Sequence, residues 1–479
     1  MYESIRVLAH IWFRRLRGQK KFLYIPYEIL QREIHGGFIL SDVAQRTGFV
    51  VLLGQKQDVF PLIPFLPSGV VFLKSVVPGE LKLQQAICES GHFNVSLDIE
   101  GLTMSNGLSG IYLRYSPASI ALADKLFFWG NTQLENVVAA IPSAREKSLV
   151  TGSPVADWWG LQSKAVDEEK RPTILFATSF PIANHPMGIE YYSQSLKAAA
   201  PRAAEEQKDD FSNDAALQIA VFPAYKALLQ KLAIALPFTK ILLRPHPTEE
   251  KEVWQEIAQG FENIEISTEH DIGFYLNQSD LFLHFNSTTS IQSAIQGVPS
   301  VSLLPSEVSD AMRNRMSEPV RLVTSEYQNH EDLIEAIRLN LIRQNALPTR
   351  DIRKVSGFLD FKQGQYDYSS TKIIAEIENL YHEQTEYQPI DARNWFSSLL
   401  PLTLKPLMVI NLQKLSMIVP ASTPVIGKWR KSAEYGLLKT NSMHSNKTEM
   451  VINDIRRRGN ASFALRAFKV YGKNMFFFG

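Results

Sequence analysis

Two segments of this chain carry residue types that could hold a phosphate group. Ile241, Leu242 and Leu243 run into Arg244, Pro245, His246 and Pro247; farther on, Leu281–Phe285 runs into Asn286, Ser287, Thr288, Thr289 and Ser290. Each reads as a buried apolar strand ending in a polar turn that opens a helix. In an open α/β sheet, ligands bind at such carboxyl ends of strands. Hydroxyls and helical N–H groups there can donate hydrogen bonds, and the positive end of the helix dipole favours an anion. His246, held between prolines, could donate to a leaving phosphate and offset developing charge. Arg244 could add a charge-assisted bond. The blander reading of each segment is a helix cap or a turn. His284, inside an apolar strand, reads as a core histidine.

A third motif is acidic. Asp98-Ile99-Glu100-Gly101 follows an apolar strand at Phe93–Leu97, which puts carboxylates at a strand end beside a turn. Such a group could act as general base toward an acceptor hydroxyl or as a nucleophile in double displacement. It could also form a D-x-E clamp holding a diphosphate through a divalent ion, or be a solvated turn. Several chemistries lose their signatures: there is no Gly-rich P-loop, no G-x-G-x-x-G, no G-x-S-x-G elbow and no His/Cys spacing suited to zinc.

The elements that must position these motifs alternate along the chain. Residues 2–17 form an amphipathic pattern with Ile5, Leu8, Trp12 and Leu16 at helical spacing, suited equally to core packing and to membrane contact. Phe22–Pro26 reads as a first strand, a polar loop spans Glu28 to His35, and a helix runs from Gly36-Gly37 through Arg46. Strands are expected near 49–53, 69–72, 93–97, 125–129 and 148–150. A charged stretch at Asp167–Arg171 separates these from a second series that begins at Thr173. That series has a long helix around 215–235, a helix from Thr288 to Gln296, and Gly297 at the position where a helix ends in left-handed backbone. The expectation is α/β: two Rossmann-like doubly wound domains facing a cleft, at 1–165 and 172–370. A crossing helix at 371–390 and a basic aromatic tail at 391–479 complete it.

Composition sets the broad class. The 479 residues are 45% apolar and 21% charged, as in soluble globular proteins. Cys88 is the only cysteine, which suits a reducing cytoplasmic compartment. No secretory signal and no transmembrane helix is expected. The net charge of +1 hides an asymmetry: residues 393–479 hold 14 Lys+Arg against 3 Asp+Glu, leaving the rest acidic. With its aromatics, Phe476–Phe478 among them, that tail suits the anionic inner-membrane surface. No RNP, KH or similar signature points to nucleic acid.

Taken together, the acidic-Gly motif, the His-Pro motif and the Ser/Thr cluster resemble a family. They look like bacterial GT-B glycosyltransferases that use CMP-activated ulosonic acids, including capsule sialyl- and Kdo-transferases, and proteins called surface carbohydrate biosynthesis protein. CDP-glycerol glycerophosphotransferases share the His-Pro and Ser/Thr half. The resemblance covers roughly 20–380 and includes Pro26–Glu33, Gly152-Ser153-Pro154 with Asp157, and Thr178–Asn184. It implies Glu100 as catalytic carboxylate with Asp98 as its neighbour. His246, which could also be catalytic, and Pro247 would contact the donor phosphate. Ser287, Thr288 and Thr289 would hold the phosphate or the donor carboxylate. Gln292 stands where many GT-B relatives place a ribose-binding Glu.

The expected activity is therefore transfer of a sugar from a CMP-sugar donor to a lipid-linked or oligosaccharide acceptor, in surface polysaccharide synthesis. The enzyme would be cytoplasmic, peripheral at the inner membrane face, and would need no cofactor and no obligatory metal. The alternatives are polyol-phosphate transfer from CDP-glycerol or CDP-ribitol, and a non-catalytic subunit of a glycan assembly complex.

Overall fold

In the computed structural model, the described residues are 2–103, 108–162, 171–199, 208–267, 271–343, 351–383, 468–471 and 475–478. They form two α/β layers systems, each built on a sheet whose apolar runs are covered on both faces. The first sheet holds β1 (Phe22–Tyr27), β2 (Val50–Gln55), β3 (Val70–Leu73), β4 (Phe93–Leu97), β5 (Lys125–Phe128) and β6 (Ser148–Val150). These run parallel in the order β2-β1-β3-β4-β5-β6. The second sheet holds β7 (Thr173–Ala177), β8 (Lys240–Arg244), β9 (Ile264–Ile266), β10 (Leu281–His284), β11 (Ser300–Leu303) and β12 (Ser325–Tyr327). It is wholly parallel, in the order β12-β11-β10-β7-β8-β9. The expected GT-B-like arrangement of two doubly wound sheets is what the chain adopts.

The entry to the first domain differs from the expected loop. Helix α2 spans Leu30–Arg46 and so includes Gly36 and Gly37. Glu33 secures its start, accepting from the Glu28 amide at 3.1 Å and the Ile29 amide at 2.9 Å. The glycines permit close packing: a Cβ on Gly36 would stand 2.9 Å from Val155 in the helix Pro154–Leu161, and one on Gly37 3.0 Å from Leu53. Propensity disfavours glycine in a helix by about 1 kcal/mol each, and tertiary packing overrides it here.

The crossing helix begins at Tyr368 and ends at Glu383. It buries Ile373, Ile374, Ile377 and Leu380 in the first domain's core beside Phe38 and Phe49. Its amino end is held by Asp157, which accepts from the Ser369 amide at 2.8 Å and hydroxyl at 2.9 Å. Near its other end, the Tyr381 hydroxyl donates to the Phe22 carbonyl at 2.9 Å.

The aromatic end of the tail is a correction. β13 (Phe468–Tyr471) and β14 (Met475–Phe478) form an antiparallel hairpin, and β14 extends the first sheet by pairing with β2. Phe476 and Phe478 pack with Phe38 on one face, Met475 and Phe477 with Val7 and Ile11 on the other. All three phenylalanines are buried, so their rings are core, not groups for a headgroup layer. The alternation is the period of a strand. The rest of the expected membrane-associating tail, 391–467, lies outside the described residues. Among the described residues no helix is long and apolar enough to cross a membrane.

Candidate functional site

A cavity of about 360 Å³ opens between the two domains. From the first domain it is lined by the start of α2 (Ile29–Arg32 and His35) and by Val155, Trp158 and Trp159; from the second, by Arg244–Thr248, Lys251, Asp271, Ile272, Thr288, Thr289 and Gln292. Arg244, His246, Pro247, Thr288 and Thr289, read from sequence as a phosphate site, thus converge on one wall. Ser287, Asp98 and Glu100 are not among the lining residues.

Arg244 ends β8 and lies over the Tyr275 ring, its guanidinium carbon 5.0 Å from the ring centroid. Its hydrogen bonds run to neutral oxygens: the Ser267 carbonyl at 3.4 Å and, across the cleft, the Gln31 amide oxygen at 3.3 Å. Burial lowers its pKa from the ordinary value, against the nearby Tyr275 and Asp271. This half-buried guanidinium, held by neutral acceptors, retains capacity for an anion, and its planar fork suits a phosphate.

His246 is held by its own turn. The Thr248 amide donates to Nδ1 at 3.3 Å, and the Thr248 hydroxyl lies 2.7 Å from the same atom. With Nδ1 accepting, the neutral ring carries its proton on Nε2. Its backbone amide donates to the Thr178 hydroxyl at 3.1 Å, which donates in turn to Glu249 at 2.8 Å. Glu249 is buried and also accepts from the Phe180 amide at 2.8 Å, Trp254 Nε1 at 2.8 Å and Asn184 Nδ2 at 3.3 Å. Burial raises its pKa despite these donors. Glu249 therefore fixes the His-Pro turn to the loop after β7. The spacing Arg-Pro-His-Pro-Thr-Glu offered that signal, and reading the motif as ending at Pro247 missed it.

After β10 the chain turns at Asn286, whose φ of 43° is left-handed, a conformation that asparagine tolerates better than most residues. Its side-chain oxygen accepts from the Ser317 amide at 2.9 Å. The Ser287 hydroxyl accepts from the Thr289 amide at 3.3 Å, so Ser287 shapes the turn while Thr288 and Thr289 face the cavity. The helix that follows is short, Thr289–Ile295, and Gly297 ends it with φ 77°. His284 is the core histidine expected: it is buried, and Nε2 lies 3.1 Å from the Thr324 hydroxyl.

The acidic motif is electrostatically closed. Asp98 is 1% exposed and is held by two nitrogens of Arg114, Nε at 2.8 Å and Nη2. It also accepts from the Glu100 amide at 2.9 Å. Buried behind Arg114, it is paired with that arginine and is not among the cavity's lining residues. Glu100, with its side chain 40% exposed, bridges Arg114 at 3.1 Å and Arg32 at 3.3 Å. Burial would raise its pKa, but Arg114 first and Arg32 second outweigh it and hold the carboxyl below its usual range. A carboxylate so paired is a weak base. Its link to the cavity is Arg32, which sequence reasoning did not single out.

Two aromatic residues also escaped the sequence reading. His35 and Trp158 stack at 4.3 Å with planes 8° apart, and both line the cavity. Their adjacency in space follows from α2 packing on the Pro154–Leu161 helix, and no local pattern announces it. Gln292 faces another residue of the first domain: its Nε2 donates to Gln162 Oε1 at 3.1 Å, and Gln296 donates to the same oxygen at 2.6 Å. The two domains are thereby joined along the cavity's edge.

No protein-family model matches this chain, and no curated protein matches its sequence. Solved structures do align with it. MnaA of S. aureus with UDP is 14% identical with a TM-score of 0.45, over 77% of this chain and 99% of its own. UDP-GlcNAc 2-epimerase from Neisseria meningitidis, bound to UDP-GlcNAc, is 12% identical with a TM-score of 0.43, over 75% and 100%. The enzyme of that name from Methanocaldococcus jannaschii is 12% identical with a TM-score of 0.43, over 75% and 99%. At these values the likeness assigns no activity to this chain. It does correct the expected kinship: the structures just named are two UDP-GlcNAc 2-epimerases and a UDP-bound protein, where CMP-ulosonic-acid transferases or CDP-glycerol glycerophosphotransferases were expected. The expectations of a CMP-sugar donor and of transfer to a surface glycan are withdrawn with it.

Proposed function

We propose that this chain is a nucleotide-sugar enzyme that binds a UDP-sugar in the inter-domain cavity and epimerises its sugar. The observation that carries the reading is Arg244, a half-buried cation whose hydrogen bonds go to neutral oxygens on both sides of the cleft. His246 Nε2–H and the Thr288 and Thr289 hydroxyls supply further donors on the same wall. Such a cluster can hydrogen-bond a diphosphate and offset part of its charge, and it can also stabilise the charge that grows on a phosphate oxygen when the anomeric C–O bond breaks. The stacked His35 and Trp158 offer an apolar wall for the remainder of the ligand. The choice of UDP and of epimerisation takes its ligand and reaction from the names of the similar structures; the phosphate half rests on this chain's own residues.

The test has two parts. UDP and UDP-GlcNAc should raise the melting temperature by mass action on the folded state, and CMP should do so less. Proton NMR of UDP-GlcNAc incubated with the protein should then show the signals of the C2 epimer. Protection by CMP alone would overturn the UDP-sugar reading. Binding of UDP-GlcNAc without new signals would overturn epimerisation of that sugar.

A further inference from the structure

The first helix, α1 (Tyr2–Leu16), buries only part of its apolar surface. Val7 and Ile11 are fully buried against Phe22, Val50 and Phe477, and the His10 ring meets Phe477 edge-on at 4.3 Å. On the other side stand Ile5, Phe13 and Leu16, exposed at 59%, 49% and 82%. At 3.6 residues per turn these three fall within about 80° of one another, roughly opposite the buried pair. Arg6 and Arg17 flank the stripe on one side and Arg15 on the other. The Arg17 guanidinium lies 4.2 Å from the centroid of the Phe13 ring.

Sequence charge reinforces this pattern. From Ser4 to Tyr27 the chain holds Arg6, Arg14, Arg15, Arg17, Lys20 and Lys21 and no acidic residue. Single exposed apolar residues are ordinary on a protein surface, but a contiguous stripe with a cationic rim marks an interaction face. The stripe is solvent-facing on a helix already anchored by its opposite side, so the fold does not need it for its core.

We propose that α1 docks the protein on an anionic lipid surface, with Ile5, Phe13 and Leu16 entering the headgroup boundary and the arginines pairing with lipid phosphates. A helix lying in the interface plane has this composition: bulky apolar groups toward the acyl chains and cations at headgroup depth. The surface is distinct from the inter-domain cavity, and the proposal stands whether or not that cavity takes a UDP-sugar.

The experiment is vesicle co-sedimentation of the full chain with phosphatidylcholine vesicles, with and without phosphatidylglycerol. The wild type should bind the anionic vesicles and not the neutral ones, and salt should weaken binding because exposed charges are screened beyond about 8–10 Å. The double variant Phe13→Ser/Leu16→Ser keeps every charge and alters exposed side chains only, so its melting temperature should match the wild type. It should partition about tenfold or more weakly, having lost buried apolar area. Failure of the wild type to bind anionic vesicles would overturn the proposal. So would undiminished binding by the double variant, which would place the contact in another basic segment. A wild-type dimer that the double variant converts to monomer, without vesicle binding, would make the stripe a contact between two copies and also overturn it.

Discussion

The acidic cluster behind the first-domain side of the cleft and the second-domain wall use similar residue types to opposite effect. On the first-domain side, Asp98 and Glu100 meet Arg114 and Arg32 in a network where each charge has a partner. On the second-domain side, Arg244 meets a carbonyl and an amide. The cluster is matched internally and holds structure; the second-domain wall retains capacity for a ligand's negative charge. A charged motif at a strand end therefore says little until its partners are known, because pairing decides between scaffold and site.

Breaking the matched cluster should have the largest effect, and on stability. Asp98→Asn removes the partner of a largely buried guanidinium and should cost about 3 kcal/mol, read as a lowered denaturation midpoint. Nucleotide binding by the folded fraction should survive. Breaking the open wall should spare the fold. His246→Ala should leave the denaturation midpoint near the wild type and weaken UDP binding by about 1–1.5 kcal/mol, roughly tenfold.

Acidity separates the regions further. Burial pushes Asp157, which caps the crossing helix, up from 3.8 to about 8, so the folded state binds more protons than the unfolded one between those values. Its contribution to stability is full below pH 3.8 and falls as pH rises toward 8. Burial lowers His92 to about 4 and His284 to about 3 from 6.5. Their contributions are full above pH 6.5 and are lost as pH falls through that range. Between pH 6.5 and 8 Asp157 acts without them, and stability should decline with pH by up to about 1.4 kcal/mol per unit. Denaturation at several pH values checks this, and Asp157→Asn should flatten the slope.

Glu100→Gln should have the smallest effect, since a partly exposed ion pair contributes about 0–1 kcal/mol. UDP affinity should stay within about threefold of the wild type, and turnover should be reduced modestly. A large loss of turnover with unchanged affinity would show that Glu100 leaves its arginines and reacts.

The sequence revealed the second wall more fully than the first because its signals are local. β8 and β10 are continuous apolar runs that end at Arg244 and His284, and Gly297 marks a helix end by the φ it must adopt. The start of α2 was misread as a loop because Gln31, Arg32 and His35 face a cleft rather than a core, so apolar periodicity fails there. Gly36 and Gly37, expected at the helix start, lie inside the helix and serve close contact with Val155 and Leu53. The aromatic end of the chain read as a surface segment because its partner, β2, lies more than 400 residues away in sequence, as in the pairing of Met475 with Gly54. Period-two alternation in Phe476–Phe478 cannot be seen when every residue is apolar. Asp98 looked chemical because its own segment shows the carboxylate and not the arginine that closes it.

The central claim is that the second wall, through Arg244, holds the phosphates of a UDP-sugar. Calorimetric titration of UDP-GlcNAc into the wild type and Arg244→Gln tests it most directly. The account predicts saturable binding by the wild type and a loss of about 2 kcal/mol, roughly 30-fold, in the variant, with the melting temperature of the unliganded protein little changed. Equal affinity for UDP-GlcNAc in both proteins would contradict it.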